Sequence, residues 1–184
     1  MTMRLPRITL LPLFAFFLAT LIWLLLVLTA PLMVPEGTLT DLSGRVGYID
    51  NEDQFEDMGA LPHAMYRIGD VECHQLANRS YFINGNQMPF CARDLGIFVG
   101  LAAGFCLVSF YPFRPNPFYL LLGLVPMGID GGLQLVTEYE STNPLRLATG
   151  FIAGVAASLL LAVYIFVLAD DLKKARDTDE TKPE

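Results

Sequence analysis

Four blocks of this chain are nearly free of charge, and each is about long enough to cross a lipid bilayer as a helix. A helix rises ~1.5 Å per residue, so roughly 20 apolar residues span a hydrocarbon core. Inside lipid every backbone N–H and C=O must find its partner within the protein. Only helices and closed barrels meet that demand, and unbroken apolar runs argue for helices. The blocks cover about residues 10–32, 95–111, 118–136 and 145–169. Pro31 and Pro35 mark the exit of the first. The run Tyr111-Pro112-Phe113-Arg114-Pro115-Asn116-Pro117 separates the second from the third, because closely spaced prolines cannot continue a helix. The first block is too long for the apolar core of a secretion signal and ends in a poor cleavage site, so it reads as a retained helix. The expected fold is an all-α polytopic membrane protein, a four-transmembrane-helix bundle making one membrane domain of the whole 184 residues.

Charge orients the bundle. Arg4 and Arg7 precede the first span, Arg114 lies between the second and third, and Lys173, Lys174 and Arg176 follow the fourth. Lysine and arginine near span ends mark the cytoplasmic side. The reading is therefore a multi-pass protein of the plasma membrane with both termini cytoplasmic. The tail at 170–184 has the composition of a disordered end. The external loop at 34–94 holds ten acidic residues and four arginines. The net charge is −7 and no basic footprint for nucleic acid is visible, so the bilayer is the expected partner.

Small residues recur every four positions on two of the spans: Gly96, Gly100 and Gly104 on the second, and Gly150, Gly154 and Ser158 on the fourth. That spacing puts each set on one helix face. Small residues let backbones approach closely, which matters where lipid supplies no hydrophobic drive to associate. These two helices are expected to pack through the stripes.

Within the external loop, 34–58 is polar and acidic and carries no readable role. Residues 61–76 read as a helix entered at Pro62 and lying along the membrane surface. Asn84-Gly85 between short apolar runs is a hairpin signal, since both residues tolerate positive φ. A small external helix and hairpin subdomain follows, and the hairpin returns Cys91, Arg93 and Asp94 toward Cys73 and His74.

Polar residues inside spans are costly and usually face the bundle interior or a watery cavity. Asp130 lies inside the third block with Gln134 one turn later. It is a candidate site carboxylate, or half of a structural ion pair with Arg146 or Arg93. Ser141-Thr142-Asn143-Pro144 has helix-start chemistry. It does not explain Arg146, a cation in a first turn, where it opposes the helix dipole and calls for an acidic partner or an anionic ligand such as a lipid phosphate.

Cys73, His74, Cys91 and Asp94 admit three arrangements: a Cys73–Cys91 disulfide, which an external location permits; a metal site, most plausibly zinc, with thiolate, imidazole and carboxylate ligands; or an incidental cluster. Cys73 and His74 point ~100° apart on a helix, so both reach one ion only if the helix ends there.

Cys73-His74-Gln75, Arg79-Ser80, Asn84-Gly85, Pro89-x-Cys91-Ala92-Arg93, Gly96, Asp130-Gly131, Gln134, and Ser141-Thr142-Asn143 with Arg146 and Gly150 resemble a predicted membrane protein family of archaea and bacteria, known as domain of unknown function 2085. The resemblance covers about residues 66–151. The family pattern reads Cys-His, then Cys-x-Arg-Cys, and here Asp94 replaces the last cysteine. Cys91-Ala92-Arg93-Asp94 cannot perform the dithiol exchange of a Cys-x-x-Cys pair. A chemistry shared across the family must then be one that a carboxylate also supports, such as metal ligation.

Together these residues define an outward-facing Cys/His/Asp/Arg site. One expectation is a metal-dependent membrane enzyme acting on a lipid-linked or small substrate. There Cys73, His74, Cys91 and Asp94 are the ligands, and Asp130, Arg146 and Arg79 do the chemistry or hold an anionic group. Gln134, Asn143, Thr142, Arg93 and Ser80 surround them. The alternative is a non-catalytic membrane subunit, or a small transporter working as a homo-oligomer, in which a Cys73–Cys91 disulfide and an Asp130–Arg146 pair build the fold. No substrate can be read from the residues.

Overall fold

The computed structural model describes residues 7–111 and 113–180; Arg4, Pro112 and residues 181–184 lie outside them. The chain runs α1 (Arg7–Thr29), a 3-10 turn (Ala30–Met33), α2 (Glu52–Phe55), α3 (Ala60–Glu72), a second 3-10 turn (Ala77–Arg79), β1 (Ser80–Ile83), β2 (Asn86–Cys91), α4 (Ala92–Phe110), α5 (Pro117–Val136) and α6 (Asn143–Glu180). Among the described residues, four helices are long and apolar enough to cross a membrane: Leu10–Met33, Ala92–Phe110, Pro117–Val136 and Asn143–Arg176. The fold is an all-α membrane protein with one small two-stranded sheet.

α4 and α6 form the centre of the bundle, joined through the glycine stripes. A Cβ at Gly96 would collide with the Leu147 carbonyl oxygen, one at Gly100 with that of Phe151, and one at Gly104 with Ser158 Oγ. In return, Gly150 and Gly154 abut the carbonyls of Arg93 and Ile97. Backbone therefore lies on backbone along three turns. α1 packs beside α4 through aromatic rings: Phe16 stacks on Phe105 at 5.3 Å, and Trp23 meets Phe98 edge-on at 5.8 Å. α5 is the peripheral span. Its Leu121, Leu122, Val125, Ile129 and Leu133 are exposed, as a lipid-facing stripe should be.

Several boundaries differ from the sequence expectation. The external helix begins at Ala60 and ends at Glu72 rather than near 76, because Cys73 turns extended and Gln75 takes a left-handed φ of +45°. α4 begins at Ala92 rather than 95, so Arg93 and Asp94 sit in its first turn, where an acid favours a helix start. α5 and α6 start one and two residues earlier than read. The charged tail is helix through Glu180, not irregular chain: Leu172, Lys173, Lys174, Ala175 and Arg176 are good helix formers, and no glycine or proline intervenes. Arg114 Nη1 anchors the start of that extension at 2.6 Å from Asp170 Oδ2, and this pairing raises the Arg114 pKa.

The hairpin forms as read. Asn84 and Gly85 have φ of +54° and +70°, and Ser80 pairs with Cys91. Segment 34–58 wraps this hairpin and α3, held by three buried polar side chains. Asn86 Oδ1 accepts from Thr38 N and Leu39 N, while its Nδ2 donates to the carbonyls of Pro31, Val34 and Pro35. Gln87 Oε1 accepts from Leu42 N, and Asp70 accepts from Asp50 N, Asn51 N and Asn51 Nδ2. Such side chains replace the ladder partners that an irregular buried segment lacks. Leu39, Leu42, Phe55, Met65 and Tyr66 fill the space between. Burial raises the Tyr66 pKa, and its hydroxyl donates to the Gln87 carbonyl at 2.7 Å. The subdomain therefore sits on the bundle end where α4 and α6 begin and α5 finishes.

Candidate functional site

At that end a cavity of about 100 Å³ is lined by Cys73, His74, Gln75, Leu76, Arg79, Cys91, Arg93, Gln134 and Arg146. The lining comes from the α3–β1 connection, the end of β2, and helices α4, α5 and α6, so the hairpin brings together residues 73 positions apart in the chain.

One wall is sulfur and carboxylate. Cys73 Sγ, Cys91 Sγ and an Asp94 carboxylate oxygen all lie within 4.8 Å of one another. Both thiols are free. The Cys91 thiol has two acceptors in reach, Asp94 Oδ2 at 3.1 Å and the Cys73 sulfur. The hydrogen bond from Cys91 lowers the Cys73 pKa, and giving that bond, together with burial, raises the Cys91 pKa. The helix ends just before Cys73, as a joint Cys73–His74 site requires, yet His74 turns away. Its Nδ1 contacts the Gly44 carbonyl at 3.2 Å, and it stands apart from the three-residue cluster.

The other wall is cationic. Arg93 Nη2 pairs with Asp130 Oδ2 at 2.5 Å and reaches Gln134 Oε1 at 3.3 Å. Tyr139 Oη donates to the other Asp130 oxygen at 3.1 Å. This corrects the Asp130–Arg146 alternative. Asp130 pairs with Arg93 because the α4–α6 contact sets the α4 start beside α5, while Arg146 points elsewhere. Arg146, with its side chain only 2% exposed, donates to Asn143 Oδ1 at 3.0 Å and lies 3.5 Å from Glu140 Oε1. Arg79 Nε reaches the same Glu140 oxygen at 3.2 Å, and Asn78 Nδ2 at 3.0 Å. The Arg79 hydrogen bond, with help from the Arg146 charge, holds the Glu140 carboxyl below the ordinary carboxylate range.

Ser80 and Thr142 do not line the cavity. Ser80 is buried in the hairpin interior, bonded to the Leu76 carbonyl and to Gln87 Nε2. Thr142 is exposed and serves the helix start, its carbonyl accepting from Arg146 N. Asn143 lies behind the lining too, donating to the Ser80 carbonyl and accepting from Arg146.

Sequence reasoning passed over Glu140, Tyr139 and Gln75 as site residues. The signal for Glu140 was an acid lying between two unpaired arginines. For Tyr139 there was none. Gln75 is fully buried, donates from Nε2 to the Pro89 carbonyl at 2.8 Å, and holds a backbone conformation that L residues rarely adopt. Among the described residues, three buried polar atoms of the lining have no partner: Gln75 Oε1, Arg93 Nε and Gln134 Nε2.

Residues 73–160 match the family described as predicted membrane protein (DUF2085). An uncharacterized protein of Methanocaldococcus jannaschii is 43% identical over 98 residues, covering 49% of this chain and 61% of that protein. An uncharacterized protein of Methanothermobacter thermautotrophicus is 34% identical over 94 residues, covering 50% of this chain and 85% of that protein. No solved structure matches. The chain belongs to the DUF2085 predicted membrane protein family. The matched segment begins at Cys73 and holds every lining residue of the cavity.

Proposed function

We propose that this protein is a multi-pass membrane metalloprotein whose Cys73, Cys91 and Asp94 hold a divalent ion, zinc by ligand chemistry, facing an arginine-lined cavity on the non-cytoplasmic side. The observation that carries the reading is the convergence of the three ligand atoms within 4.8 Å. Two sulfurs and one carboxylate suit zinc. Three protein ligands leave a fourth position for water or substrate, the arrangement of hydrolytic rather than structural zinc sites. An ion so placed supports metal-assisted hydrolysis of a lipid-linked or small substrate, with the arginines orienting its anionic group. Arg114, Lys173 and Lys174, which flank the bundle end opposite the hairpin, support that side.

The test is metal content of the full chain purified in detergent without chelator. About one zinc per chain is expected. Cys73→Ser, Cys91→Ser and Asp94→Ala should each lower that content at least tenfold, in keeping with the loss of a ligand from a three-ligand set. Recovery of a stoichiometric Cys73–Cys91 disulfide after alkylation under non-reducing conditions, with no bound metal, would instead support the non-catalytic alternative.

A further inference from the structure

We propose that the cavity beneath the hairpin binds one tetrahedral oxyanion of the phosphate class, supplied either as free phosphate or as the headgroup phosphate of a lipid. The inference deepens the metalloprotein reading by naming the group its substrate presents, and it rests on that reading only for the catalytic consequence.

Charge is the first argument. Arg79, Arg93 and Arg146 all line the cavity. Asp130 neutralises Arg93, and Glu140 is shared between Arg79 and Arg146, so two carboxylates face three guanidinium groups on this wall. Asp94, the remaining nearby acid, is turned to the thiols. Arg146 is the most demanding of the three. It is 2% exposed, its carboxylate lies 3.5 Å away and is half exposed to water, and Arg79 and Arg93 are both close enough to repel it. A buried cation is costly unless closely paired. Its position in the first turn of α6 adds the positive end of a helix dipole to the same spot.

Unused donors are the second argument, independent of the first. Arg93 Nε and Gln134 Nε2 are buried and donate to no acceptor among the described residues, and both residues line the cavity. Buried N–H groups normally have partners. Here the unused donors flank the excess charge, which is the pattern a bound oxyanion satisfies.

Size and shape narrow the class. A cavity of about 100 Å³ has room for one oxyanion group. The three arginines arrive from different elements, the turn before β1, α4 and α6, so they approach from different directions. That suits the divergent oxygens of a tetrahedral anion better than a planar carboxylate, which one guanidinium binds in its own plane.

The test uses the full chain in a phosphate-free neutral detergent, stripped with chelator so that no metal contributes. Thermal unfolding is followed at fixed ionic strength in chloride, acetate or inorganic phosphate, and separately with phosphatidylglycerol added. Inorganic phosphate or phosphatidylglycerol should raise Tm with a saturable dose dependence, while chloride and acetate do not. The arm that responds identifies the source. Gln134→Leu should weaken the apparent affinity about tenfold, the value of one hydrogen bond to a charged acceptor. Arg146→Lys should weaken it further, and Gln134→Leu keeps the test alive if Arg146→Lys does not fold. No phosphate-specific or phospholipid-specific shift, an equal shift in acetate, or an affinity unchanged in Gln134→Leu would overturn the proposal. Because the protein is metal-free, failure here leaves the zinc reading standing, and absence of zinc leaves this one standing.

Discussion

Gly100→Leu is expected to unfold the bundle or separate α4 from α6 in detergent. A Cβ at position 100 already collides with the Phe151 carbonyl oxygen and falls 3.0 Å from Gly154 Cα. Those are backbone atoms, so no side chain can rotate away, and the helices themselves must part. Overpacking a well-packed core costs ~1–3 kcal/mol, and a backbone-on-backbone helix seam puts this site at or above the top of that range. Even Gly100→Ala should be strongly destabilising. The control is built into α5. Gly128 and Gly132 have no atom within 4 Å of an added Cβ. Gly128→Ala and Gly132→Ala should therefore be neutral, or should stabilise by up to ~1 kcal/mol through helix propensity. Denaturation followed by fluorescence of Trp23, which packs on Phe90 and Phe98, measures both. Equal tolerance at 100 and 128 would mean that the α4–α6 seam is not as close as described.

Asp130→Ala is expected to cost about 3 kcal/mol. Removing one partner of a buried ion pair leaves the other charge uncompensated, at ~3–5 kcal/mol. Arg93 is 23% exposed against 5% for Asp130, so water softens the loss and the lower end applies. Asp130→Asn keeps the shape and the Tyr139 contact but not the charge, and should lose nearly as much. The double variant Arg93→Met/Asp130→Leu should recover most of the stability, because the pair is removed rather than broken. The same denaturation measurement reads the cycle. If the double variant is no better than Asp130→Ala, the two residues do not act as a pair.

How far residues alone reveal this protein depends on how local the physics is. Span positions follow from block length, and the α4–α6 seam follows from glycine spacing, because both are properties of single helices. The Asn84-Gly85 turn needs only two residues with positive φ. The site is a different matter. Asp130 had two candidate partners, and the choice between Arg93 and Arg146 depends on how α5 rotates against α4, which no spacing encodes. His74 looked like a ligand beside Cys73, yet the Gly44 carbonyl, thirty positions away, takes its ring. Segment 34–58 had no readable role because its order comes from Asn86, Gln87 and Asp70, polar residues whose burial a hydropathy pattern hides. Glu140 binds Asn78, Arg79 and Arg146 at once, and only the folded hairpin brings those groups within reach.

Whether the hairpin and helix ends assemble a two-sulfur, one-carboxylate metal site beside a cationic cavity is read most directly by X-ray absorption at the metal edge in the purified full chain. A zinc shell with two sulfurs at about 2.3 Å and lighter ligands at about 2.0–2.2 Å is expected, with the sulfur signal falling by half in Cys73→Ser. A shell of nitrogen and oxygen only, or sulfur scattering unchanged in Cys73→Ser, would contradict it.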